Sequence, residues 1–333
     1  WTLTDIQKFF KGNDPNYLNT DWISAAIRPW APQQNHNISV NGGNDKLRFF
    51  SYLGYNKQET ISRHDGGDYE RYNIQTSVDA NLTKRLLLSS SFNYIKENSD
   101  FTSMNLKSSN YYFALYDSDP RYPLYLPDRT KLSYAGSSYG NALFVSSRDL
   151  AGYNRFDNNL LRINASLTYD VKQVQGLKLK AFINYNRNLS VSKVFRKQPS
   201  FYSYNIETGE YKFERKAQDP TLLSYGSSNN YDLTQQYSMA YENTFKDHYI
   251  SILALHERIN YNNESFDTQR GEFQTSIIDQ LFAGDPSTAA NNSSVYEMGR
   301  ASYVGRLNYR YKNRYLIETI FRADASAKFP KDG

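Results

Sequence analysis

The stretch LRINASLTYD, residues 161–170, places an apolar side chain at every second position and a polar one between them. Successive side chains of a β-strand point to opposite faces of a sheet, so this alternation predicts a strand with one apolar and one polar face. About ten such strands are predicted. Clear copies of the pattern lie at 72–82, 177–186, 303–312 and 315–324, and weaker ones at 36–41, 46–55, 84–96, 231–245 and 248–261.

The connections between these strands differ in length in a regular way. Alternation alone fits a soluble sandwich as well as a membrane barrel, but short turns on one side and long loops on the other are typical of outer-membrane barrels. Each apolar face covers about 9 to 11 residues, the span of a tilted transmembrane strand. The sequence thus predicts an all-β fold: an antiparallel transmembrane β-barrel, present as an open partial barrel of about ten strands with long extracellular loops. The connections predicted to be short are 42–45, 82–84, 170–176, 246–247 and 312–314, and the long ones are 56–69, 97–157, 190–230 and 262–299.

Composition supports a membrane interface and argues against several other functions. The chain of 333 residues contains 30 Tyr, more than its 17 Gly, and Tyr is enriched where a barrel meets the head groups. The net charge of +5 comes from scattered basic residues, so no nucleic-acid partner is expected. With no Cys, four scattered His and no nucleotide or nucleophile motif, we expect no metal site, no cofactor and no enzymatic activity.

Several ordered motifs make the sequence similar to a known family. They resemble the SusC/RagA-like TonB-dependent transporters of Bacteroidetes outer membranes, and the likeness covers most strands from about residue 19 to 329. The motifs are NTDW at 19–22, NHNISVNGG at 35–43, FFSYLGY at 49–55, GRLNY at 305–309 and FRADAS at 321–326.

The resemblance implies a plugged barrel of about 22 strands in the outer membrane, of which this chain would supply about strands two to eleven. It implies import of glycans or peptides (an oligosaccharide or peptide substrate) with energy from the TonB complex and with a SusD-like surface lipoprotein as partner. The TonB-contacting N-terminal region, the plug domain and the remaining strands would lie outside this fragment. We expect residues 1–34 to be an extracellular segment with a short helix capped by Asp21, residues 35–329 to be the partial barrel, and residues 330–333 to begin the next extracellular loop.

Three sets of residues are candidates for function. The polar strand faces would line the lumen and touch the plug, through Arg162, Asn164, Arg306, Asn308, Arg310, Glu318 and Arg322. The apolar faces would contact outer-membrane lipid, through Tyr72, Ile74, Val78, Ile163, Leu167, Ile183, Leu307, Ile317 and Phe321. In the longest loop, substrate-binding candidates are Tyr111, Tyr112, Tyr116, Tyr122, Tyr125 and Arg121.

The loop aromatics have two readings that the sequence leaves open. Their rings could stack on sugars or pack on peptide side chains, because Tyr contributes area and a hydroxyl with little rotamer entropy. They could instead form the private core of a loop that folds over the barrel. At the level of the whole chain, the alternatives to a transporter segment are a non-transporting surface glycan-binding or adhesin β protein and an aromatic-rich glycoside hydrolase.

Overall fold

The computed structural model describes residues 2–104, 109–217 and 220–329. Within these ranges, none of the helices has both the length and the apolar character needed to cross a membrane. The expected loop start at 330–333 lies outside the described residues. The described part of the chain contains thirteen strands: β1 (Gln33–Gly43), β2 (Leu47–Glu59), β3 (Gly67–Thr83), β4 (Leu86–Thr102), β5 (Leu132–Ser133), β6 (Gly152–Asp170), β7 (Leu177–Arg196), β8 (Ser200–Tyr204), β9 (Tyr211–Lys216), β10 (Leu222–Phe245), β11 (His248–Gly271), β12 (Ala290–Tyr311) and β13 (Tyr315–Ser326).

Ten of these strands form one antiparallel sheet in the order β1-β2-β3-β4-β6-β7-β10-β11-β12-β13. The sheet is open: β1 and β13 each pair with a single neighbour among the described residues. The predicted all-β fold with an open sheet of about ten strands is confirmed.

Tight turns and long connections alternate at opposite ends of the sheet, as predicted. At the β12–β13 turn, Lys312 and Asn313 both adopt positive φ, the geometry of a hairpin whose twist matches its strands. At the β6–β7 turn, Gly176 has φ +89°, and a Cβ there would lie 2.0 Å from the carbonyl oxygen of Glu242. A side chain at that position would therefore clash with the neighbouring strand.

The strands extend well beyond the predicted boundaries at the long-loop end. β10 begins at Leu222 rather than 231, and β11 continues to Gly271 rather than 261. The long connections accordingly shrink to 60–66, 103–151, 197–221 and 272–289. These extensions still contain Leu222, Leu223, Tyr225 and Phe266, but apolar and polar residues no longer alternate along them. The backbone ladder therefore continues where the alternation has ended.

The long connections contain structure that the alternation did not predict. β5, β8 and β9 form a separate three-stranded sheet. The helices are α1 (Leu3–Lys11), α2 (Trp22–Ala26), α3 (Ser109–Asp117), α4 (Ala142–Ser146) and α5 (Arg148–Ala151), with 3-10 turns at Leu281–Ala283 and Pro286–Thr288. The helix predicted after Asp21 is confirmed as α2, where the Asp21 carboxylate accepts a hydrogen bond from the backbone N–H of Ser24 at 2.9 Å.

Candidate functional site

The connections at the long-loop end pack into one body, which we call the cap. It consists of the segment before β1, the β4–β6 connection (103–151) and the three-stranded sheet. Phe144 of α4 meets Phe201 of β8 edge-to-face, with ring centroids 5.5 Å apart. The main buried cluster of the described chain therefore lies in the cap. Its larger members are Trp22, Met104, Tyr111, Leu115, Leu143, Phe144, Val145 and Phe201.

The N-terminal segment is tied into the cap by directional contacts as well as by burial. The buried Trp22 indole donates a hydrogen bond from Nε1 to the carbonyl oxygen of Asp119 at 2.9 Å. The Thr20 hydroxyl donates to the carbonyl oxygen of Tyr122 at 2.7 Å. These bonds join residues about a hundred positions apart in sequence and hold the N-terminal segment against the β4–β6 connection.

Helix α3 divides the loop aromatics into two groups. Tyr111 is fully buried, and its hydroxyl lies 2.9 Å from the hydroxyl of Ser62. Tyr112, Phe113 and Tyr116 lie on the other side of the helix and are 47%, 58% and 76% exposed. The structure thus places Tyr111 in the cap core, where it has no free surface for a ligand, and leaves an aromatic stripe facing outward. The aromatic residues of this loop are spaced as on a helix, a pattern that strand alternation does not reveal.

The remaining loop candidates lie close to this stripe in sequence. The Arg121 guanidinium forms a forked pair with the Asp119 carboxylate, with Nε 3.0 Å from both oxygens. The hydrogen bonds from Arg121 lower the pKa of Asp119. Tyr122 is half-buried against Tyr134. Tyr125 is 49% exposed, with the Arg129 guanidinium 4.3 Å from its ring centre, a cation–π contact absent from the predicted set.

The register places all seven lumen candidates on one face of the large sheet. Residues paired across neighbouring strands lie on the same face of the sheet. Arg162 pairs with Asn186, which pairs with Asp232, and the unbroken register from β10 to β13 puts the even-numbered residues of β12 and β13 on that face as well. On this face Arg306 forms an ion pair with Glu318 at 3.2 Å. Whether the face lines a lumen stays a prediction. The predicted lipid-facing residues all share the opposite face.

A second charged cluster escaped the sequence analysis because its members are far apart along the chain. Arg148 pairs with Asp65 and Asp100, and Arg155 pairs with the same Asp100 at 2.9 Å. This cluster links the β2–β3 connection and the cap to strands β4 and β6. No sequence pattern announces it, since the contacts span 55 and 83 positions.

The β11–β12 connection is fastened to the same region. The Asp279 carboxylate accepts a hydrogen bond from the Tyr153 hydroxyl and lies 3.2 Å from Lys193 Nζ. Burial by itself would raise the pKa of Asp279, but the hydrogen bonds from Tyr153 and Lys193 outweigh it, and the pKa is lowered. Phe273 packs edge-to-face on Phe195, with centroids 5.3 Å apart.

Within the described ranges, no three His, Asp or Glu side chains come together in a way that could hold a metal ion. Two acidic residues of the longest loop, Asp119 and Asp128, already have cationic partners. Asp119 pairs with Arg121, and hydrogen bonds from Lys131 and Thr130 hold the pKa of Asp128 at about 2.

The open antiparallel sheet, with tight turns at one end and a packed cap at the other, and the sequence that forms it are similar to those of known proteins. The chain is 26% identical to the TonB-dependent receptor SusC of Bacteroides thetaiotaomicron over 96% of its length, and 24% identical to the TonB-dependent receptor P26 of Formosa agariphila, also over 96%. Among solved structures it matches the RagAB peptide transporter with a TM-score of 0.69 at 16% identity over 95% of the chain. No family model matches the chain.

These similarities confirm the resemblance to SusC/RagA-like TonB-dependent receptors, and the predicted outer-membrane location agrees with them. The chain spans about 30% of the length of the curated relatives it matches and 34% of the RagAB chain. The matched structures thus share the fold of the segment, and the activity of a whole receptor is a matter for proposal.

Proposed function

We propose that this chain is part of a TonB-dependent outer-membrane transporter that imports oligosaccharides or peptides and works with a SusD-like surface lipoprotein. The observation that carries the binding role is the exposed aromatic stripe of α3, Tyr112, Phe113 and Tyr116, held on a packed cap at the long-loop end. In this proposal the chain has no catalytic role, the polar sheet face lines the lumen beside a plug, and the TonB complex acts through the N-terminal region of the longer receptor.

The stripe suits a ligand of mixed polarity. Aromatic rings offer apolar faces to sugar C–H groups or to peptide side chains, and Tyr hydroxyls add hydrogen bonds at the rim. The buried half of α3 fixes the helix, so little entropy is lost when the exposed rings engage a ligand. The pair of Arg129 and Tyr125 lies in the same connection and adds a cationic group for acidic substituents.

The proposal is tested by ligand binding to the full-length protein carrying Tyr112→Ala and Tyr116→Ala together. The probes are a panel of neutral hexasaccharides and a tryptic peptide mixture. Loss of two stacking contacts is expected to weaken binding by about 1–3 kcal/mol. Thermal stability should change little, because both side chains are exposed.

Phe282→Ala provides the matched control, since Phe282 is as exposed as Tyr116 but belongs to the β11–β12 connection. It is expected to leave affinity unchanged. Unaltered affinity and uptake in the double variant would restrict the cap aromatics to packing. Binding without uptake in wild-type cells would instead favour a surface glycan-binding or adhesin protein.

A further inference from the structure

The apolar face of the large sheet contains a groove of about 700 Å³ between β6 and β13. One row of register neighbours explains its shape: Met239, Ala254, Gly305 and Phe321 follow one another across β10 to β13. Ala254 and Gly305 leave a notch between two large side chains, 47% and 63% exposed. The groove has the volume of a small-ligand site, and its lining is mainly apolar.

Backbone geometry does not require glycine at the floor of this groove. Gly305 lies within a regular ladder, and its φ is outside the left-handed region. A Cβ built on Gly305 would meet only the Cβ of Phe321, at 4.0 Å. A larger side chain would therefore fit at position 305 without strain. Backbone geometry thus does not explain why this part of the groove is left open.

A free cation lies on the same face, four residues along β11 from the floor of the groove. Arg258 has the parity of Ala254 and is exposed. Its sequence neighbour Glu257 points to the opposite face and pairs with Arg300 at 3.7 Å. Across 2–104, 109–217 and 220–329, no carboxylate forms an ion pair with Arg258. By contrast Lys57, also on the apolar-face parity, pairs with two carboxylates at 3.1 Å.

We propose that this groove binds one phosphate-bearing membrane lipid, with an acyl chain in the notch at Ala254 and Gly305 and the phosphate at Arg258. The inference rests on the membrane orientation of the proposed function, in which the apolar face contacts lipid. Strand β11 begins at His248, at the tight-turn end of the sheet, and Arg258 lies ten residues further along the strand. A tilted strand crosses the hydrocarbon in about 9–11 residues, so the guanidinium reaches the head groups of the leaflet on the long-loop side.

The test measures lipid retention by native mass spectrometry of the full-length protein purified in detergent. The probes are dimyristoyl phosphatidylglycerol, which is anionic, and dimyristoyl phosphatidylcholine, which has the same chains and no net charge. The wild type is expected to retain one phosphatidylglycerol more strongly than phosphatidylcholine. Arg258→Gln should lower retention of phosphatidylglycerol alone by about fivefold, and Gly305→Leu should lower retention of both lipids.

Arg306→Gln is the matched control, because Arg306 lies on the polar face of the neighbouring strand. It is expected to leave retention unchanged. Equal retention in wild type, Arg258→Gln and Gly305→Leu would overturn the proposal. Displacement by inorganic phosphate with no effect of Gly305→Leu would show an anion site without a lipid and would also overturn it. If the wild-type protein retains the lipid but supports no uptake, the proposed import function is contradicted and the lipid site is not.

Discussion

At the scale of single residues, Trp22 shows how one buried polar atom anchors the cap. The change Trp22→Phe removes the Nε1 donor and leaves the carbonyl oxygen of Asp119 with a single donor, the backbone N–H of Tyr122 at 3.2 Å. We expect a loss of about 0.5–1.5 kcal/mol in the local stability of the cap, the net contribution of one hydrogen bond. Hydrogen exchange of residues 111–151 in the full-length protein measures this loss.

Trp30→Phe is the control for that variant, because Trp30 is 69% exposed. Its effect should stay within about 0.5 kcal/mol. Equal protection of the cap in both variants would show that the indole hydrogen bond does not hold the N-terminal segment.

The Asp279 carboxylate makes the stability of the β11–β12 connection depend on pH. Its folded pKa lies below the reference value of 3.8, so the ionised form stabilises the fold above that value. This contribution is lost as the pH falls through the folded pKa, when Tyr153 and Lys193 lose their charged partner. We expect proteolysis of residues 272–289 by pepsin to accelerate below about pH 3.8 in the wild type. Asp279→Asn should be cleaved rapidly already at pH 5, and slow cleavage of this variant there would contradict the prediction.

At the scale of elements, the strands are defined by which face each side chain occupies. In the proposed membrane orientation, Ile163→Arg places a charge on the lipid face of β6, at a cost of roughly 2–4 kcal/mol near the middle of the bilayer. Ser166→Arg, on the opposite face of the same strand, should cost less. Folding of the full-length protein into lipid vesicles, followed by urea titration, compares the two variants. Equal costs would show that the apolar face is not the lipid face.

At the scale of the whole molecule, the open sheet leaves two strand edges. β1 and β13 present 11 and 12 residues with one side of the backbone unpaired among the described residues. Each unpaired N–H or C=O in hydrocarbon costs several kcal/mol, so the chain expressed by itself should aggregate or remain unfolded in detergent. Size-exclusion chromatography and heat-modifiability on gels test this prediction. A monodisperse, heat-resistant, sheet-rich monomer would mean that the ten strands close on themselves.

The sequence by itself determined the large sheet, because strand geometry is local. Alternation at residues 161–170 assigns every side chain to a face without reference to any partner, and short turns force neighbouring strands to be antiparallel. The sequence could therefore predict the approximate number of strands in the large sheet, their order and the two faces. The start of helix α2 at Asp21 is also local and could be predicted. The strand ends could not be predicted, because β10 and β11 continue as hydrogen-bonded ladders through segments in which apolar and polar residues no longer alternate.

Only the tertiary structure decided what the connections do. Burial of Tyr111 beside Ser62, and exposure of Tyr116 on the same helix, depend on contacts between segments 49 or more residues apart. The partners of Asp279 and Arg148 are also distant in sequence, and the groove at Gly305 exists only once six strands, from β6 to β13, lie side by side. Long-range contacts of this kind leave no period in the sequence, since each depends on where the whole chain places its neighbours.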